Sequence, residues 1–166
     1  MDITIRPYLP EDLPGMINLW NAVVETGESF PHEEKLDTQS GSQLFKSQTL
    51  SAVAARDGEI VGLYVLHPNN IGRCGHIANA AYAVKSSSRG LGIGRRLVVH
   101  SIAEAKTNGF RILQFNAVLA TNIVAIQLYK KLGFTQLGLI EGGFRSPSGE
   151  YIDIIPHYIK LVEKSP

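Results

Sequence analysis

The sequence predicts one α/β domain over residues 1–166. Three observations predict it. The chain has 166 residues, 44% hydrophobic and 19% charged, which suits one globular core. "LSAVAAR-DG-EIVGLYVL" is a β-hairpin signature, two apolar extended runs joined by Asp57-Gly58. "SSSRGLGIGRRL" (Ser86–Leu97) places three glycines at alternate positions between an extended run and a helical one.

In order, "ITIRPYL" (Ile3–Leu9) alternates weakly and reads as a first strand ended by Pro10. A helix follows over "EDLPGMINLWNAVVET", with Asp12 as the expected cap and Leu13, Ile17, Trp20 and Val24 on one stripe. Residues 27–43 are polar and read as a loop with a short helix. After the hairpin, "GHIANAAYAVK" (Gly75–Lys85) is a strand, and the glycine loop opens a helix closed by Asn108-Gly109. Ile93, Leu97, Val98, Ser101 and Ala105 form its buried face. "RILQFNAV" is a strand, and "TNIVAIQLYKKLG" is a helix capped by Thr121 or Asn122 and stopped by Gly133. "FTQLGLIE" and "EYIDIIPHYIKLV" close the chain as two strands joined by a Gly/Pro/Ser turn.

Net charge is +1, so no global footprint for nucleic acid exists and any attraction to a polyanion is local. The N-terminal stretch lacks a secretion signal and no run approaches a membrane span, which points to a cytoplasmic protein that spans no membrane. Cys74 is the single cysteine, which excludes an intramolecular disulfide and a multi-cysteine metal site; no metal is expected.

The glycine loop has the character of a phosphate cradle: backbone N–H groups at a helix N-terminus, with glycines permitting close approach. Lys85, Arg89, Arg95 and Arg96 surround it, with no acid between Lys85 and Ala103. A phosphate-loop NTPase would need Lys and Ser/Thr after the last glycine, where Arg95-Arg96 stands. A dinucleotide loop would need Gly or Ala at 95 and a place near the start of a βαβ unit. Neither pattern fits. A second block, "NAVLATNIVAIQLYKKLGF", puts Asn122, Ala125, Ile126 and Tyr129 on one helical face.

Together, Val84…Arg89-Gly90-Leu91-Gly92-Ile93-Gly94 and Asn122…Ala125…Tyr129…Gly133-Phe134 resemble the acyl-CoA-binding signature of the GNAT superfamily of N-acetyltransferases. The two motifs span about fifty residues. The resemblance implies the GNAT fold, a mixed, mostly antiparallel sheet of about seven strands with helices on both faces, splayed where Val84 and Asn116 approach the cofactor, and acetyl-CoA as co-substrate. It implies that the amides of Leu91, Gly92, Ile93, Gly94 and Arg95, with the Arg89–Gly90 region, bind the CoA pyrophosphate. Ala83 and Val84 would hydrogen-bond pantetheine, one N–H facing the thioester carbonyl. Asn122 would bond pantetheine, Ala125 would leave room for it, and Tyr129 would be the general acid that protonates the thiolate. A thiol has pKa about 8.5 and a tyrosine about 10, so a neutral tyrosine suits that task.

The same resemblance leads to expect a strand glutamate as general base, often acting through water, but His76–Val84 contains no acid. The base is left open among Glu28, His32, Glu33, Glu34, Glu141, Asp153 and His157, with Asn79 able only to position water. Phe30, Phe144 and Tyr151 are candidate walls for a small acceptor, and Glu28, Asn79 and Arg145 candidate polar contacts, Arg145 to a substrate carboxylate. "GGFRSPSGEYIDI" resembles the closing hairpin of family members acting on small amines, including the phosphinothricin type. The implied function is direct acetyl transfer to a primary amine of a small molecule, without a covalent intermediate; a homodimer is compatible with it. The alternatives are a non-catalytic acyl-CoA sensor and, third, a nucleotide-binding domain.

Overall fold

The computed structural model describes residues 2–162. Seven strands, β1 (Thr4–Pro7), β2 (Leu50–Arg56), β3 (Glu59–Pro68), β4 (Ile77–Val84), β5 (Ile112–Phe115), β6 (Thr135–Gln136) and β9 (His157–Lys160), form one sheet in the order β1-β2-β3-β4-β5-β9-β6. Two further strands, β7 (Ile140–Arg145) and β8 (Tyr151–Ile154), pair as a separate ribbon. The helices are α1 (Leu13–Thr26), α2 (Thr38–Ser47), α3 (Ile93–Thr107) and α4 (Ile123–Lys131). Among the described residues no helix is long and apolar enough to cross a membrane.

Local chemistry explains the boundaries. Asp57 and Gly58 adopt φ +51° and +79°, as the two-residue hairpin turn requires. The Asp37 carboxylate accepts from the Ser40 N–H at 2.7 Å, and Asp37 N–H donates to the Ser40 hydroxyl at 2.9 Å, a reciprocal cap that starts α2. Asn122 caps α4, its Oδ1 accepting from Ala125 N–H at 3.1 Å. Asp12 does not cap α1 with its side chain as expected. Its carboxylate accepts from Leu9 N–H (2.7 Å) and from both Arg6 nitrogens (2.6 and 3.0 Å), tying the end of β1 to the start of the helix.

The tail differs most from its sequence reading. Two strands were expected over 134–141 and 150–162, and four form. Gly138 at φ +114° breaks the first run, and Pro156, which has no N–H to give a ladder, breaks the second. The pieces then separate: β6 and β9 join the main sheet, while β7 and β8 make the ribbon.

All main-sheet pairings are antiparallel except β4 with β5, which run parallel across the α3 crossover. That pairing covers only Ile77–Asn79 against Ile112–Gln114, while β4 stays paired with β3 as far as Val84 opposite Gly62. The sheet is therefore splayed between β4 and β5. Each face carries its own core. On one, α3 packs Ile93, Leu97 and Val98 against Tyr64, Leu66, Ala80 and Phe115. On the other, Met16, Trp20 and Phe45 from α1 and α2 cover Val53, Leu63, Val65 and Ala83. Gly62 admits α3 to the sheet; a Cβ there would meet Ile93 Cγ2 at 2.9 Å and Leu97 Cδ1 at 3.0 Å.

Candidate active site

The loop between β4 and α3 is a row of unused donors. Gly90 and Gly92 take φ +81° and +74°, values costly for any residue with a Cβ, and a Cβ at either would face open space. The N–H groups of Leu91 through Arg95 find no acceptor among the described residues; the first helical bond is Arg96 N–H to Gly92 C=O. Just upstream, the buried Ser88 hydroxyl also finds no partner among the described residues. The charge around this row is thinner than the sequence suggests. Lys85 pairs with Glu59 from the hairpin, while Arg96, whose guanidinium donates to the neutral Ile3 carbonyl, joins Arg89 and Arg95 as exposed cations without an ion-pair partner among the described residues.

Below the loop lies the gap between β4 and β5. Lys85 N–H donates to Val61 C=O and Asn69 N–H to Ile77 C=O, so odd-numbered residues of β4 direct their polar backbone groups to β3. By that alternation Tyr82 and Val84 direct theirs into the gap, beyond the last pairing with β5. This corrects the expectation for Ala83, whose N–H and C=O face β3 opposite Leu63. Val84 keeps the expected place, and Tyr82, which sequence reasoning missed, joins it; period-two alternation was the signal available.

Tyr129, from α4, approaches this gap on the α3 face. Its ring packs on Phe115 (4.7 Å between centroids), Phe134 (5.5 Å) and His157 (5.5 Å). Its hydroxyl makes no hydrogen bond among the described residues, and burial pushes its pKa up to about 12. It is a neutral O–H at every physiological pH. Beside it, the Tyr82 hydroxyl is engaged with Ser101 Oγ at 2.6 Å. His157 is fully buried, Nδ1 bonded to Ile155 C=O at 2.7 Å, and desolvation lowers its pKa.

At the vertex of the gap an amide cluster bridges the two strands. Asn69 Oδ1 accepts from Asn79 Nδ2 (3.1 Å) and Asn116 Nδ2 (2.6 Å), and Gln114 donates to Asn116 Oδ1 at 3.0 Å. Asn79 is thus held across the point where β4 and β5 part. On the α1/α2 face, next to this vertex, lies a pocket of about 240 Å³. Trp20, Leu44, Val65 and Ala81 give it apolar walls, and His32 and His67 its titratable groups. Burial against Trp20 lowers the His32 pKa, and the nearby His67 lowers it further.

The other candidates scatter. Phe30 is buried on Trp20, with ring centroids 4.4 Å apart, and is core rather than a pocket wall. Phe144 is buried against Leu119 and Ile154 beneath the ribbon, and Tyr151 is exposed on its edge. Asp153 Oδ1 accepts from Gly142 N–H at 2.8 Å, a turn-fixing role. Arg145, expected to meet a substrate carboxylate, instead pairs with Glu33 at 2.8 Å, which joins the ribbon to the α1–α2 loop. Glu28, Glu34 and Glu141 are exposed. Asn122 spends its Oδ1 on the cap and keeps Nδ2 free to donate. No group of three or more His, Cys, Asp or Glu among the described residues is arranged to hold a metal ion.

The chain belongs to the Acetyltransferase (GNAT) family, whose pattern residues 15–134 match. It is 32% identical over 151 residues to an N-acetyltransferase of Schizosaccharomyces pombe, covering 80% of this chain and 72% of that protein. It is 27% identical over 158 residues to a phosphinothricin N-acetyltransferase of Alcaligenes faecalis, covering 92% and 79%. Among solved structures, a GCN5-related N-acetyltransferase from Kribbella flavida superposes with TM-score 0.87 at 29% identity, covering 95% and 97% of the two chains. A phosphinothricin acetyltransferase from Sinorhizobium meliloti, solved in complex with acetyl-CoA, shares the fold with TM-score 0.89 at 20% identity, covering 97% and 89%.

Proposed function

We propose that residues 1–166 form one catalytic domain that transfers the acetyl group of acetyl-CoA directly to a primary amine of a small molecule. The observation that carries this reading is the interrupted β4–β5 pairing beneath the loop of free amides. An extended arm can lie in the gap as a missing strand would, with its diphosphate on the N–H groups of Leu91–Arg95 at the positive end of α3. Arg89 adds charge. Val84 and Tyr82 bond the arm, and a Tyr82-side N–H stabilises the oxygen of the thioester as negative charge develops on it. Asn122 Nδ2 donates to the arm in this reading, and Ala125 is small enough to leave it room.

The reaction then follows from acidities. The amine nitrogen forms a bond to the carbonyl carbon, and the carbon–sulfur bond breaks. The leaving thiolate takes the Tyr129 proton, which the tyrosine regains through solvent. Raising the pKa of Tyr129 keeps its proton in place for that step, though Brønsted behaviour makes it a weaker donor than an unperturbed phenol. Cys74 is exposed in a turn ahead of the paired end of β4, remote from the gap, so no cysteinyl intermediate is invoked. The likeness to phosphinothricin acetyltransferases supports a small acceptor.

A library of amines incubated with acetyl-CoA, with free thiol as the readout, tests the reading. Thiol release with at least one amine is expected. Tight acetyl-CoA binding with no turnover of any amine would favour the sensor instead, a reading supported by the lack of an acid on β4.

A further inference from the structure

Two sides of the gap differ in chemistry, and the side opposite Tyr129 has had no part in the reaction so far. The pocket of Trp20, His32, His67 and Ala81 lies there. Ala81 lines it while its neighbour Tyr82 faces the gap, and consecutive Cα atoms are about 3.8 Å apart. The two spaces share β4 as a wall. We propose that this pocket holds the acceptor amine and that Nε2 of His67 takes its proton; the proposal rests on the acetyltransferase reading above.

The tautomer of His67 follows from one contact. Nδ1 lies 2.8 Å from the Pro68 carbonyl, which only accepts, so Nδ1 carries the hydrogen and Nε2 of the neutral ring is a free lone pair. An imidazole titrates near neutral pH and is the commonest biological proton acceptor for that reason. It supplies what β4 lacks. The donors lining the pocket beside the imidazoles are committed, since the Ser47 hydroxyl and Gln48 Nε2 both donate to the Leu44 carbonyl, at 2.8 Å each. His32 is the one other titratable side chain lining it, and burial first and the nearby His67 second lower its pKa.

The protons balance. An ammonium R–NH₃⁺ gives one proton to His67, which passes it to solvent. The neutral amine attacks from the α1/α2 face, and its second proton leaves the nitrogen as the amide forms. That proton replaces, through solvent, the one Tyr129 gives the thiolate on the opposite face. Base and acid on opposite sides of the sheet let the nucleophile enter and the thiolate leave without crossing.

The pocket also selects. At about 240 Å³ it is smaller than the roughly 300–1,000 Å³ of sites for drug-sized ligands. Its walls are an indole, aliphatic groups, two imidazoles, the Ser47 hydroxyl and the Gln48 amide, with no carboxylate. A compact monoamine fits; a diamine or polyamine would desolvate a second cation with no anion to pair it.

The test uses the full chain and the best amine from the library. His67→Gln should lower kcat/KM about 10²-fold and change the acid limb of its pH profile, with CoA affinity by calorimetry unchanged. His67→Ala should respond to added imidazole with partial recovery, which a structural role would not give. Should either variant fail to fold, ¹⁵N imidazole spectra of the CoA-bound wild type, titrated with the amine, should show the His67 and His32 resonances shifting together. An unimpaired His67→Gln, or imidazole resonances that ignore the amine, overturns the inference while the acetyltransferase reading stands. A preference for polyamines overturns the proposed selectivity. Absence of any transfer by the wild type overturns both readings.

Discussion

The two halves of this molecule, divided by the β4–β5 gap, are built by different means. The half proposed to take the cofactor consists of backbone: N–H groups from Leu91 to Arg95 and the polar edge of β4 at Tyr82 and Val84, with Tyr129 as its proposed reactive side chain. The half proposed to take the acceptor consists of side chains drawn from α1, the α1–α2 loop, α2, β3 and β4. Backbone donors demand glycine and a fixed helix start and tolerate little change. Side-chain walls tolerate substitution so long as volume is kept. The difference teaches that one scaffold can hold its cofactor constant while the acceptor is free to vary.

The largest expected effect attacks the backbone half. Gly92→Asp places a carboxylate at φ +74° among amides meant for a diphosphate. CoA binding should vanish in calorimetry, while circular dichroism retains the α/β signature because a Cβ there meets no neighbour. Unchanged affinity in a folded variant would break the division of labour drawn above.

Tyr129→Phe comes next. It keeps the ring on Phe115 and Phe134 and removes only the hydroxyl. CoA affinity and melting temperature should hold, and kcat should fall about 10²-fold. A wild-type kcat, measured where chemistry limits the rate, would make Tyr129 a packing residue and water the proton donor.

A third substitution tests the frame of the acceptor half. Asp12→Asn removes the charge that Arg6 and Leu9 N–H satisfy, at a cost of about 1 to 3 kcal/mol at neutral pH. The hydrogen bond from Arg6 lowers the Asp12 pKa, despite opposing desolvation. A depressed carboxyl pKa stabilises the fold above the unfolded value near 4, and that contribution fades as pH falls through the folded value. Chemical denaturation should therefore separate wild type from variant at pH 7 and bring them together in strong acid. A constant gap across that range would show that the charge is not what stabilises the corner.

The smallest effect belongs to Arg89→Ala. An exposed guanidinium bonded to phosphate should be worth about tenfold in Kd, a difference that shrinks as salt rises. Equal constants at low salt would leave the amides alone holding the anion.

The loop and helix face of the proposed cofactor half were legible in the sequence because their parts are contiguous. Gly90, Gly92 and Gly94 sit in one loop, and Asn122, Ala125 and Tyr129 on one helix face, so local spacing and the family resemblance together brought them out. The hairpin at Asp57-Gly58 and the stripe of α1 were legible for the same reason, since turn chemistry and helical period act between near neighbours. Where the reading slipped, long-range pairing was the cause. Glu59 neutralises Lys85 across 26 positions, Glu33 holds Arg145 across 112, and β6 leaves β7 to join β9. No local signal marks His67, a strand residue beside a proline, as the neighbour of Trp20, His32 and Ala81. The sequence by itself determined most of the elements ahead of the tail, the glycine turn that opens α3 and the helix face that carries Tyr129, because each is fixed within a turn or two of chain. Only the tertiary structure decided which polar groups of β4 stay free and which side chains wall the pocket, because both depend on where β5, α1 and α2 come to rest against the same strand.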